Sequence, residues 1–479
     1  LYFRGDASGA PLRVIAAPYH FGRHPVFSHF NGQKMSNVRV RMAPSPTGVV
    51  HIGLARAALF NWVFAKHNNG TFILRIEDTD IKRNISEAVQ VIIDGFAWLG
   101  ITPDEGPYYQ SQRLDIYNRH IDQLIREGRA YVDVDENKGE CVRLRMPAKR
   151  VEYDDLILGH SGWDLSLIGD LVLRKSDGYP TYNYAVVVDD HDMNISHVIR
   201  GMEHFSNVPK QMALYEAFGW TPPQWAHVPL LLGPDGKKLS KRKDYGGYEI
   251  YTNIEDYRRV GYLPEALCNF LILMGWSPGE DVEIMPMDDV IRQFDLARVV
   301  KTHSQVNYEK MLWMNGKYVR MKSVEELTEM LKPHLRDAGY EPEKFDAAWL
   351  RKIVALFHDN LNVLSEFPQK AKYFLDEEVR YDEAAVKKFL AKEGASDMLK
   401  AIRDGIVAME PIEHAPLEAF LKGMAEKTGQ GFGKIAQPIR VAITGGTVSP
   451  GIFETIDAIG KAKVLKRLDY AIANLCIVK

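Results

Sequence analysis

Cysteine is scarce in this chain: Cys141, Cys268 and Cys476 are its only three, far apart and without a CxxC pair. That excludes a disulfide framework and an all-cysteine zinc site, and it fits a reducing, cytosolic compartment. Long apolar runs are missing as well. None approaches the roughly 18 residues of a membrane span, and the stretch Ala266–Trp276 is short and interrupted by Asn269. Nor is there an excess of one charge. Sixty basic against sixty-three acidic residues leave a formal charge of −3, so a polyanion has to be met by a local basic surface and not by a global field. Low-complexity tracts and internal repeats are also lacking. What the chain does have is 479 residues, 46% of them hydrophobic and 26% charged. That balance is typical of globular proteins and excludes disordered, collagenous and coiled-coil chains. At about 150 residues per domain, the length predicts roughly three domains.

The first 34 residues carry Arg4, Arg13 and Arg23 but only one acid, Asp6, ahead of Met35. An organellar leader and the remnant of a cleavable tag both fit. The opening Leu1-Tyr2-Phe3-Arg4-Gly5 favours the tag, so residues 1–34 stand outside the fold argument. From Val38 the pattern is strand (Val38–Met42), punctuated loop (Ala43–Gly48), helix (His51 to about His67), strand (Thr71–Ile76), acidic turn (Glu77–Asp80) and helix (about Ser86 to Leu99). Alternating βαβα text predicts an α/β fold with a doubly wound parallel sheet, whose ligands sit at the carboxyl ends of the strands. Both loops fall there. Tyr184–Val188 and Ser196–Arg200 read as further strand-like text, and after Asp256 the apolar spacing turns helical almost to the C-terminus.

Two strings carry chemistry. In Pro44-Ser45-Pro46-Thr47-Gly48-Val49-Val50-His51-Ile52-Gly53, prolines fix the loop and glycines let backbone approach a ligand. A helix start there offers N–H groups and a positive dipole end to phosphate, with His51 placed to donate to developing charge. An ordinary helix start is the plainer alternative for the His-Ile-Gly triplet alone. Downstream, Gly233-Pro234-Asp235-Gly236 leads into Lys237, Lys238, Lys241, Arg242 and Lys243, five cations in seven residues. Mobile lysines suit an in-line displacement on a triphosphate, although a solvated basic turn or a nonspecific RNA patch would read the same in isolation.

Together the two strings resemble the signatures of class I aminoacyl-tRNA synthetases. Arg41-Met42-Ala43-Pro44-Ser45-Pro46-Thr47-Gly48, Arg75-Ile76-Glu77-Asp78-Thr79-Asp80 and Gly178-Tyr179-Pro180-Thr181-Tyr182 are similar to the glutamyl-tRNA synthetases of bacterial type, from about Val38 to the C-terminus. The resemblance implies a Rossmann-like catalytic domain over 35–250 with an acceptor-end insertion at about 105–180. A helical connecting domain over 251–325 and an α-helical anticodon-binding region over 326–479 would follow. Its glutamate site falls on Arg41, Ala43, Ser45, Glu77, Tyr182 and Arg200, with Arg200 and Tyr182 reading the side-chain carboxylate. Its ATP site falls on His51, Gly53, Glu203, Lys238, Leu239, Ser240, Lys241 and Arg242, with His51, Lys238 and Lys241 catalytic.

The residue types agree with that substrate. Two carboxylates call for guanidinium forks and one ammonium calls for an acid. For each arginine alone a surface ion pair is the commoner explanation, and for Tyr182 a core aromatic. Asp189-Asp190 falls in the pocket wall of the family pattern, so no resident metal is expected. Mg²⁺ would arrive with ATP. Leu54 replaces a second histidine common in the class, and only Val132–Cys141 stands where the family usually has a longer, sometimes zinc-binding, insertion. No zinc is expected.

Phe432–Gly445 resembles the helical anticodon region, which separates this chain from β-barrel glutaminyl relatives. The implied partners are tRNA(Glu), L-glutamate and ATP, with tRNA(Gln) left open, no membrane, and a monomeric cytoplasmic enzyme. The alternatives are a non-catalytic tRNA-binding paralogue and the short paralogue that modifies a tRNA base with glutamate. An intact lysine loop with His51 weighs against the first, and the helical tail against the second.

Overall fold

The computed structural model describes residues 38–46, 48–80, 87–135, 139–237, 239 and 251–476. Strand β1 (Arg39–Met42) feeds helix α1 (Ile52–His67), which returns to β2 (Thr71–Ile76); α2 (Ala88–Trp98) then leads to β3 (Glu105–Tyr109). The three strands form a parallel sheet in the order β1-β2-β3, with Arg39 opposite Thr71 and Met42 opposite Leu74. Two βαβ crossovers bury these strands, so Val40, Phe72, Ile73 and Ile76 are fully enclosed and read as continuous apolar runs.

After β3 the chain leaves this layer. Helix α3 (Leu114–Arg126) is followed by β4 (Ala130–Asp135), β5 (Gly139–Leu144), β6 (Arg150–Asp155), β7 (Gly159–Asp164) and β8 (Leu171–Arg174). These make an antiparallel β4-β5-β8 sheet and a β6-β7 hairpin. Helix α4 (Tyr182–Asp192) leads back to β9 (His197–Gly201); α5 (Val208–Phe218) and β10 (Gln224–Val228) follow. Strands β9 and β10 pair in parallel, and the Ser196 N–H donates to the Arg39 carbonyl at 2.9 Å, which sets β9 beside β1.

Tyr184–Val188, expected as strand, is helical. Every residue from Tyr184 to Asp190 is buried, so α4 is enclosed all round. The three consecutive valines then carry no periodicity that could separate a buried helix from a buried strand.

Beyond residue 251 the regular elements of the described chain are helices, from Ile254–Val260 to Lys461–Asn474, apart from the two-residue strand Ser304–Gln305. Its join to the sheet layer is covered by the core itself. One cluster of buried apolar side chains has members from Val38 to Ala471, and a second gathers Ile73 with α3, α4, α5 and the strands between them. Buried Asn315 ties the helices together, accepting from the Leu263 N–H at 2.8 Å and donating to the Asn362 carbonyl at 2.6 Å. Gly261, at φ 91°, permits the tight approach of Leu364, whose N–H donates to its carbonyl. Among the described residues no helix is long and apolar enough to cross a membrane.

Candidate active site

The carboxyl ends of β1, β2, β9 and β10 open on one cavity of about 590 Å³. The Glu77 N–H donates to the Pro44 carbonyl at 3.0 Å, closing the loop after β2 onto the loop after β1. Arg41, Ala43, Ser45, His51, Gly53, Glu77, Tyr182, Arg200, Glu203 and Leu239 all line this space. The sequence scattered these ten positions over two hundred residues, and the fold brings them together. Lys238, Ser240, Lys241 and Arg242 lie outside the described residues.

His51 caps α1 through its own ring, with Nδ1 accepting the Gly53 N–H at 3.1 Å. A neutral ring held this way carries its proton on Nε2 and can present it to a ligand. A Cβ at Gly53 would lie 3.3 Å from that Nδ1, so a larger residue would require the ring to shift by a few tenths of an ångström. His51 serves its helix and the cavity at once.

Arg41 and Arg200 are both buried, but they are held in different ways. Arg41 makes a two-pronged pair with Asp190, Nε to Oδ1 at 3.0 Å and Nη2 to Oδ2 at 3.2 Å. Asp190 also receives Nη1 of the fully buried Arg75 at 2.8 Å, and Arg75 lies 3.7 Å from Asp189 and 3.6 Å from Glu77. Asp189 and Asp190 therefore sit behind the pocket and not in its lining, where they hold arginines in place. Among the described residues no group of three or more His, Cys, Asp and Glu side chains is arranged to hold a metal ion.

Arg200 has a neutral surround instead. Its Nε donates to His227 Nε2 at 3.0 Å and its Nη2 to Gln211 Oε1 at 2.9 Å, whereas buried Nη1 has no partner among the described residues. A buried guanidinium that lines a cavity and keeps one nitrogen unpartnered is a receptor for an anion.

Titration behaviour agrees. Burial pushes the Glu77 carboxyl up to about 7, against the pull of Arg75 and Arg41. Burial, with Arg200 close by, brings His204 down to about 4. Tyr182 is pushed up to about 12, first by burial and then by Glu77. The site thus holds a poised acid, an open guanidinium and a neutral phenol over a helix start. It can bind a dicarboxylic amino acid beside a phosphate.

Sequence reasoning missed His227, Asp155, Gln211 and His204. His227 had a signal, since it lies in the strand Gln224–Val228 just ahead of the Gly233 loop; Gln211 and Asp155 had none. A second cavity, of about 720 Å³, lies among the C-terminal helices, lined by Tyr373, Lys370, Arg380, Ser449 and Pro450 among others.

Comparison with known proteins agrees with this geometry. Residues 37–139 and 134–313 match the family described as tRNA synthetases class I (E and Q), catalytic domain, and residues 326–472 match an anticodon binding domain. A glutamate–tRNA ligase of Caldanaerobacter subterraneus is 39% identical over 91% of this chain and 98% of its own. The glutamate–tRNA ligase of Geobacter sulfurreducens is 39% identical over 92% of this chain and all of its own. The crystal structure of a glutamate tRNA ligase from Elizabethkingia meningosepticum, in complex with its amino acid, superposes with a TM-score of 0.83 at 32% identity, covering 91% of this chain and 99% of that one.

Proposed function

We infer the chemistry of the cavity from the premise that this chain belongs to the class I glutamate–tRNA ligases. It is an aminoacyl-tRNA synthetase that uses ATP to join L-glutamate to tRNA. The observation that carries the assignment of parts is the convergence of Arg200 with its unpartnered Nη1, Glu77 and the His51 helix start on one cavity.

In our reading Arg200 and Tyr182 take the substrate's side-chain carboxylate, Glu77 its ammonium, and Arg41 with the Ala43–Ser45 backbone its α-carboxylate end. An oxygen of that α-carboxylate attacks the α-phosphorus of ATP, the bond to the bridging oxygen breaks, and pyrophosphate leaves. The ribose hydroxyl at the tRNA 3′ end then displaces AMP. His51 donates from Nε2 to phosphate oxygens, and Lys238 and Lys241 follow the charge onto pyrophosphate. Mg²⁺ accompanies ATP as part of the substrate, and no residue forms a covalent intermediate. Catalysis is positioning and charge stabilisation.

The cavity among the C-terminal helices takes anticodon bases, with Tyr373 available for stacking and Lys370 and Arg380 for phosphate or base edges. We expect a cytoplasmic monomer. Charging of purified tRNA(Glu) and tRNA(Gln), side by side with glutamate and with glutamine, tests the reading. Equal use of both amino acids would remove Arg200 from the role given to it.

A further inference from the structure

Arg200 and His227 are direct partners across the parallel β9-β10 pair, so the strand register itself delivers the imidazole to the guanidinium. His227 Nδ1 lies 2.6 Å from Asp155 Oδ2, and both side chains are fully buried. Asp155 ends β6 and is a hub. Its Oδ1 accepts the backbone N–H groups of Ile157 at 3.0 Å, Leu158 at 2.9 Å and His227 at 3.2 Å. A carboxylate so saturated stays ionised. Burial pushes its carboxyl up, but the His227 bond and the backbone donors hold it below the ordinary aspartate range. It can only accept, so His227 carries its proton on Nδ1 and offers a lone pair at Nε2 to the Arg200 Nε–H.

Every acceptor on Arg200 is therefore uncharged: an imidazole nitrogen, the Gln211 amide oxygen, and the His204 carbonyl at 3.3 Å. The contrast with Arg41, neutralised by Asp190, is the physical point. Neutral acceptors fix the orientation of a guanidinium without spending its charge, whereas a carboxylate in the same place would satisfy the very group the substrate must find unsatisfied. Burial, opposed by Asp155 and reinforced by Arg200, keeps His227 below the usual histidine range, so it adds no competing charge at neutral pH.

We propose that Asp155, His227 and Gln211 are positioning residues that set the selection of a carboxylate over an amide. They would hold Arg200 with neutral acceptors, leaving its charge and its Nη1 prong to the substrate. This rests on the reading of Arg200 as the side-chain reader. It also makes the glutamate pocket depend on a residue of the β6-β7 hairpin, outside the sheet that forms the cavity.

The test is tRNA-supported pyrophosphate exchange with glutamate and with glutamine, on the full chain, for R200Q, H227N, H227Q and Q211E. Asparagine at 227 keeps a donor for Asp155 but withdraws the acceptor from Arg200, whereas glutamine keeps the acceptor and gives up the Asp155 bond. We expect H227N to raise the glutamate KM tenfold or more with kcat within about threefold, and to narrow the preference over glutamine. H227Q should recover part of the preference that H227N loses, because it restores the acceptor at Arg200 while the Asp155 support stays missing.

Q211E is isosteric and guards against an unfolded H227N. It should also raise the glutamate KM tenfold or more, because it neutralises Arg200. If R200Q itself leaves the preference intact, the reading of Arg200 fails. If R200Q abolishes the preference while Q211E and H227N keep it, or if H227Q is as damaged as H227N, Arg200 is the reader and the proposal about its supports is overturned.

Discussion

With its carboxyl pushed up to about 7 by burial, Glu77 is only partly ionised at neutral pH, and an ammonium beside it favours the charged form. Binding of glutamate should therefore release protons. Affinity should rise as pH increases through the region of 7, flatten above about pH 8, and fall as pH drops. Calorimetry of a non-reactive glutamyl-adenylate analogue in buffers of different ionisation enthalpy measures this directly, and a pH-independent constant would count against the role of Glu77. Lys241→Ala should slow adenylate formation by on the order of 10²-fold with little change in glutamate KM, because the charge it follows exists only as pyrophosphate departs. Pyrophosphate exchange in the presence of tRNA reads both quantities. Arg41 gives a contrast in stability. Asp190→Asn leaves Arg41 and Arg75 short of their shared counter-charge inside the protein, and should lower unfolding free energy by about 3–5 kcal/mol in urea titration.

Secondary-structure elements explain why some of this was legible beforehand and some was not. The βαβα rhythm, the loops after β1 and β2 and the helical character beyond residue 256 were all visible, because each depends on local periodicity and on proline and glycine punctuation. Helix α4 was not. Three valines in a row, enclosed on every side, look the same in a buried helix as in a buried strand. The supports of Arg200 were hidden for another reason. Asp155 and His227 are 72 residues apart and meet only because a hairpin of the insertion packs on β10, where the Leu156 N–H donates to the Trp225 carbonyl at 2.8 Å. No spacing rule records such a meeting. The joint at Gly261 is a further example. A Cβ there would stand 2.5 Å from the Leu364 Cβ and 2.6 Å from its nitrogen, at a φ of 91°. Gly261→Ala should cost about 1–3 kcal/mol of stability by overpacking alone, with the positive φ adding to it, and a melting curve that does not move would show that the helices can part there.

At the scale of the whole molecule, the cavity proposed to select the amino acid lies in the sheet layer and the anticodon-domain match in the C-terminal helices. The core cluster with members from Val38 to Ala471 joins the sheet layer to the C-terminal helices, while a second cluster around α3, α4 and α5 belongs to the N-terminal half alone. That continuity has a consequence for amide hydrogen exchange. If the described chain opens only as one unit, the slowest amides of β1 and of the far helix Lys461–Asn474 exchange through the same global event. A glutamyl-adenylate analogue present at about a hundred times its dissociation constant stabilises the folded state by about 2.7 kcal/mol. It should then slow the slowest amides in both places by the same factor of about a hundred, although it touches only one of them. Protection that rises in β1 and leaves the C-terminal helix untouched would place a seam inside the core.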